Sequence, residues 1–181
     1  QLYQVCQTPQ ERALLGLFYG CGLRRIEAVR LNRRDVDLRA RLLYVRAGKG
    51  GKRRVIPLSE RTAQDIKAYL HEQRPQQVGR RTQGEHTHAF MLSRLGTRVS
   101  GGVYWKRFKA LVERVDQERS RAGEAPLPTG VSLHHLRHSI ATHLLENGMP
   151  LERVRDFLGH TCLETTQIYT RVNEKHLQPW T

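Results

Sequence analysis

Cysteine is scarce in this sequence: Cys6, Cys21 and Cys162 make an odd number, with no C-x-x-C pair. That supply supports neither a disulfide framework nor a zinc knuckle and reads as three reduced, semi-buried thiols. No run of 18 apolar residues occurs, so no segment has the length of a membrane-spanning helix. The opening residues, QLYQVCQTPQ, show neither a charged segment leading into an apolar one nor a transit-peptide bias, and a soluble, cytoplasmic protein is expected. There is no initiator methionine, which suggests a fragment or a processed chain with an N-terminal partner domain missing. Internal repeats and low-complexity tracts are also absent.

Acidic residues are few. Against 31 Lys and Arg stand 17 Asp and Glu, a formal net charge of +14. The cations are spread over many segments (Arg24, Arg25, Arg30, Arg33, Arg34, then Lys49, Lys52, Arg53, Arg54) and do not form one amphipathic stripe, so the polyanion they suit is nucleic acid, not a membrane surface. A basic surface kept only for solubility is the plainer alternative. With 181 residues, 38% of them hydrophobic, the chain suffices for one compact domain with its own core.

Hydrophobic spacing and punctuation predict a mainly α protein with a small antiparallel sheet, an α+β fold without βαβ alternation. Thr8 and Pro9 read as N-cap and first turn of a helix running to about Gly20, and a short helix covers Arg25 to Leu31. LLYVR (42–46) and RVIPL (54–58) flank AGKGGKR as the two strands of a hairpin, the second ended by Pro57. Helices follow from Glu60 to Gln73, from Ser100 to Arg119, from Ser132 to Asn147, from Pro150 to Leu158 and from Leu163 to Arg171, with loops at 75–87 and 121–130. On the Ser100–Arg119 helix, Phe108, Leu111, Val112 and Val115 take core spacing. Lys106, Arg107, Lys109 and Arg114 fall on other faces and make it a candidate phosphate-facing helix.

Several short motifs carry candidate chemistry. In SLHHLRHS (132–139), His134 and Arg137 lie three apart, neighbours on one helical surface, at and beyond the edge of a buried stripe of Leu136, Ile140 and Leu144. Alone, the pair suits packing as well as chemistry. His134 and His138 have the i, i+4 spacing of a helical zinc site, but H-E-x-x-H is absent and no further ligands cluster nearby, which argues against a metal. GKGGK (48–52) lacks the Ser or Thr and the following helix of a P-loop, so a nucleotide reading fails; Lys49 remains at a hairpin tip, able to reach into a groove. Arg24 begins a helix with Glu27 one turn on, an ordinary surface pair by itself. His160 and Tyr169 stand nine apart near the end.

Together these residues form what phosphoryl transfer from DNA to tyrosine requires. Two guanidiniums can grip the non-bridging oxygens of a phosphate and stabilise the charge that grows on it. Cations favour phenolate, a histidine can deprotonate the phenol, and a lysine can protonate the departing sugar oxygen.

The set resembles the tyrosine recombinases, the phage integrases and Xer-type enzymes whose chemistry is shared with type IB topoisomerases. GCGLRRIEA resembles their first-arginine box, GKGGKRRVIPL their hairpin box, HHLRHSIATHLLENG their H-x-x-R box and LGHTCLETTQIYTRV their terminal box. The resemblance spans about Pro9 to Val172 and implies the catalytic-domain fold over residues 1–181, the family's N-terminal core-binding domain being absent from this chain. It implies Arg24, Lys49, His134, Arg137, His160 and Tyr169 as catalytic residues, Glu27 as support, and DNA contacts from Lys52, Arg53, Lys106, Arg107 and Lys109. It also implies a 3′-phosphotyrosyl intermediate formed without metal or ATP, and double-stranded DNA and further subunits in a tetramer as partners. One departure stands out: Arg25 and Ile26 occupy places where the family usually has an aliphatic residue followed by a small one, which alters packing beside Arg24. A DNA-binding module without cleavage and a topoisomerase-like relaxing enzyme are the competing readings.

Overall fold

A computed structural model describes residues 1–46 and 53–159. The order of elements is α1 (Pro9–Leu15, continuing as a π-helical stretch Gly16–Gly20), α2 (Arg25–Arg30), a 3-10 turn, β1 (Val36–Asp37), β2 (Leu42–Val45), β3 (Arg54–Pro57), α3 (Glu60–Ala68, continuing as a π stretch Tyr69–Gln73), the short α4 (Arg74–Gln77) and α5 (Glu85–His88), then α6 (Gly101–Arg121), α7 (Leu133–Glu146) and α8 (Leu151–Leu158). The expected mainly α chain with a small antiparallel sheet is what forms. Lys49, Lys52, Cys162, His160, Tyr169 and the helix expected over 163–171 lie outside the described residues.

The helix boundaries follow local chemistry. Thr8 Oγ1 accepts from Glu11 N while the Glu11 carboxylate accepts from Thr8 N, a reciprocal cap that fixes the start of α1. Ser100 caps α6 by accepting from Val103 N, and Gly159 ends α8 at φ 65°, a left-handed turn that glycine makes without Cβ strain.

In the sheet, β2 is central and antiparallel to both neighbours, in the order β1-β2-β3, with Leu43 opposite Ile56 and Leu42 opposite Pro57. The third strand, β1, was not expected; two residues are too few to show alternation. Proline is tolerated at the end of β3 because that strand is an edge and its missing N–H breaks no ladder. The expected loop over 75–87 contains most of α4 and most of α5, each of one turn.

The main core gathers Leu14, Leu15 and Phe18 from the first helix against Tyr104, Phe108 and Leu111 of α6, all essentially inaccessible. Each such side chain stabilises by about 1.5–3 kcal/mol through burial. Phe18 and Tyr104 meet edge to face at 5.3 Å, and Tyr104 Oη donates to the Ala28 carbonyl at 3.3 Å, fastening α6 to α2. Ala141, Leu145, Val154 and Leu158 form a smaller cluster between α7 and α8.

Part of the positive charge is internal. Arg74, which is buried, donates to the carbonyls of Ala89 and Phe90. Arg98 donates to those of Val29 and Leu31, closing the end of α2. Among the described residues no helix is long and apolar enough to cross a membrane.

Candidate active site

Arg24 is the N-cap of α2, so its side chain leaves the helix at its first turn. There Glu27 Oε2 accepts from Arg24 N at 2.8 Å and Glu27 Oε1 from Arg24 Nη1 at 3.0 Å. Arg24 Nη2 reaches across to the carbonyl of Gly159 at 2.9 Å, tying the start of α2 to the end of α8 and to the residue preceding His160.

The pair expected between Arg24 and Glu27 is therefore present, and it is not an ordinary surface pair. The Glu27 side chain is 1% exposed and takes a second cation from β3: Arg54 Nη1 donates to Oε1 at 2.8 Å and Nη2 to Oε2 at 2.9 Å, with the Arg54 side chain 9% exposed. Arg54 Nε donates to the Phe157 carbonyl at 2.9 Å. Burial alone would raise the Glu27 pKa, but the hydrogen bonds and charges of Arg54 and Arg24 outweigh it and hold the carboxyl below its ordinary value.

Arg54 is the residue whose role the sequence reading missed, counting it only among the cations. A signal was available: Arg54, Ile56 and Leu58 alternate inward while Arg53, Val55 and Pro57 are exposed.

On α7 the expected stripe shifts. Leu133, Leu136, Arg137, Ala141 and Leu145 are buried, whereas Ile140 and Leu144 are half-buried and His134 is exposed. Arg137 thus sits within the buried face, not at its edge. The reason is its partners: it donates to the Gly22 carbonyl and, at 2.6 Å, to the Leu158 carbonyl, so the guanidinium fastens the connection before α2 to the last turn of α8 inside the protein. Ser132 starts the helix with its hydroxyl 2.8 Å from His135 Nδ1. Desolvation first, then the charge of Arg137 and the nearby His135, His138 and Arg24, lower the His134 pKa and favour a neutral imidazole.

Arg24, His134 and Arg137 line one cleft of about 470 Å³, which Arg25, Ser132 and the apolar Phe18, Leu23, Ile26 and Trp105 also line. Two arginines and a neutral imidazole at one concavity can bind an oxyanion and accept a proton beside it.

The expected DNA-contact residues separate. Arg53, Lys106 and Lys109 are exposed, Lys109 lying 3.6 Å from Glu113. Arg107 is half-buried: it follows Tyr104 by three and precedes Leu111 by four, so it shares their core face, and its Nη1 has no hydrogen-bond partner among the described residues. Arg114 likewise turns to the protein, pairing with Glu11 and donating to the Val5 carbonyl at 2.8 Å. Among the described residues no three His, Cys, Asp or Glu are grouped to hold a metal ion.

The pattern of the Phage integrase family matches residues 1–176. Over 165 residues the chain is 41% identical to tyrosine recombinase XerD of Mycobacterium tuberculosis, covering 91% of this chain and 49% of that protein. Over 166 residues it is 37% identical to tyrosine recombinase XerC of Chlamydia caviae, covering 92% and 48%. The chain spans about half the length of the curated relatives it matches. Among solved structures, a XerA recombinase superposes with a TM-score of 0.71 at 25% identity over 96% of this chain and 60% of that one. The Tn1549 transposon integrase, in complex with a circular intermediate DNA, gives 0.72 at 20% identity over 92% and 58%. These neighbours share the helical fold with its small sheet.

Proposed function

The chain belongs to the phage integrase family, and from that premise we propose that residues 1–181 form the catalytic domain of a site-specific tyrosine recombinase that cleaves and rejoins double-stranded DNA. The observation that carries this reading is the convergence of Arg24, His134 and Arg137, from distant parts of the sequence, on one cleft.

In the proposed reaction Arg24 and Arg137 hold the non-bridging oxygens of the scissile phosphate. The Tyr169 phenol gives its proton to neutral His134 as its oxygen bonds to phosphorus. The bond from phosphorus to the 5′ oxygen breaks, and Lys49 supplies the proton that oxygen takes up. His160 adds a further donor at the phosphate. The 3′-phosphotyrosyl link keeps the bond energy, so a 5′-hydroxyl from another strand reverses the step without ATP. Cationic side chains supply the charge stabilisation that metal ions provide in many nucleases. Glu27 supports Arg24. Lys52, Arg53, Lys106 and Lys109 neutralise flanking phosphates, and further copies of the chain assemble as a tetramer to exchange strands through a Holliday junction. The protein works in the cytoplasm, at the nucleoid. The relatives named XerC and XerD support this reading, as does the DNA complex of the Tn1549 integrase.

The test is a nicked duplex that traps cleavage as a covalent adduct. Wild-type protein should yield an adduct on a cognate site and Tyr169→Phe none. An adduct that persists in Tyr169→Phe removes the assignment. Salt-sensitive DNA binding with no adduct on any DNA would leave a binding module instead.

A further inference from the structure

Ile26 and Trp105 are both exposed, at 50% and 37%, and both line the cleft that holds Arg24, His134 and Arg137. Neither exposure is explained by folding. Ile26 lies in the first turn of α2, where isoleucine is a poorer helix former than the polar residues that could replace it, and it contributes little to the core. Trp105 rests part of its ring on Phe108, with centroids 6.2 Å apart, and leaves the remainder open. Beside them α2 and α6 meet: a Cβ on Gly101 would come 3.1 Å from Arg25 Cδ, so the Arg25 stem lies close over the start of α6.

A concave site lined by guanidiniums together with two exposed apolar side chains fits a ligand with a phosphate joined to a flat, weakly polar group. We propose that Ile26 and Trp105 form an apolar subsite for the nucleobase next to the phosphate held by Arg24 and Arg137, so that this chain selects its cleavage position partly by stacking and methyl contact. The proposal rests on the recombinase reading above. Every base has a face to stack, while thymine alone among the four offers a methyl group in the major groove, so the subsite discriminates by shape without hydrogen bonds. Ile26 gives this chain a bulkier wall than the small residue that the resemblance leads one to expect there.

The experiment uses the full chain and a pool of nicked duplexes randomised on both sides of the nick, with the covalent adducts sequenced. Wild type should favour certain bases about tenfold at one position adjoining the joined phosphate. Trp105→Ala and Ile26→Ser should reduce that preference to within about twofold while preferences elsewhere persist, and Trp105→Phe should retain it. Equal losses at every position, or a preference unchanged in both Trp105→Ala and Ile26→Ser, overturn the subsite while leaving the recombinase reading intact. A wild-type chain that forms no adduct from the pool overturns both. Retained preference in Trp105→Phe separates a role at the base from a general loss of folding. Altered self-association of Trp105→Ala with base preference unchanged would assign the wall to a protein partner and overturn the proposal.

Discussion

Arg54 on β3 grips Glu27 on α2 through two hydrogen bonds of 2.8 and 2.9 Å, and this pair is the joint between the sheet and the catalytic arginine proposed at position 24. Both side chains are almost fully buried, so removing one leaves the other's charge short of a partner where water cannot replace it. Arg54→Leu should lower stability by about 3 kcal/mol in urea unfolding. Arg54→Lys, which cannot form the two-toothed contact, should lose less. In the Arg54→Leu background, a second change of Glu27→Gln should recover part of the loss; a double change as damaging as the sum of the two single ones would show that the pair is not coupled.

Gly22 should tolerate no side chain. Its φ is +57°, and a Cβ there would come 2.8 Å from Leu158 Cδ2 and 3.3 Å from Phe157 Cε1. Its carbonyl also accepts from Arg137. Gly22→Ala combines about 1–2 kcal/mol of left-handed strain with an overpacking penalty of about 1–3 kcal/mol. A urea midpoint lowered accordingly, together with slower adduct formation as Arg137 shifts, is the expected result. Gly123, at φ +72° with open space around it, should lose only the strain when changed to Ala.

The two arginines proposed to hold the phosphate should behave differently on removal. Arg24 has a side chain 24% exposed and, among the described residues, a single carbonyl contact across the fold, to Gly159. Arg137 is buried and closes two carbonyls, those of Gly22 and Leu158. Arg24→Ala should therefore reduce adduct formation by a factor of about a hundred or more with a modest loss of stability. Arg137→Ala should lose activity and also about 2–4 kcal/mol of stability, since its carbonyls are left unsatisfied. Chemical unfolding beside adduct yield checks both; equal stabilities would show that Arg137 is no internal strut.

The sequence disclosed more of the site than of the packing around it. The Thr8 cap, the helix ends near Asn147 and Leu158 and the hairpin strands were legible because each rests on a few adjacent residues. Arg24 with Glu27, and His134 with Arg137, were legible because motif spacing preserves them. What stayed hidden was the direction in which each arginine points. Arg54, Arg98, Arg114 and Arg137 carry the same charge as Arg53, yet their environments are set by carbonyls and carboxylates far away in the chain. The strand Val36–Asp37 was hidden for a similar reason: it exists only through pairing with Leu42 and Leu43.

Stability should fall on acidification in two stages, both of the same sign. Glu27 has a folded pKa below its ordinary value because Arg54 and Arg24 favour the carboxylate. In the carboxylate range the unfolded chain therefore binds a proton that the folded chain refuses, and the stability present above the unfolded pKa is lost as pH drops through the folded one. His134 also has a lowered pKa, here because desolvation and neighbouring cations oppose the imidazolium. The unfolded imidazole protonates first, so its smaller contribution begins to fade at higher pH, near the usual imidazole range. Urea midpoints measured from about pH 8 to about pH 3 should decline gently and then steeply, with no more than about 1.4 kcal/mol per pH unit from either group. His134→Gln should remove part of the gentle stage and leave the steep one. Glu27→Gln should start from a lower stability at neutral pH and flatten the steep stage, because a side chain that cannot titrate has no proton to discriminate. A Glu27→Gln profile parallel to wild type through the carboxylate range would mean that the carboxylate is not held by its two arginines.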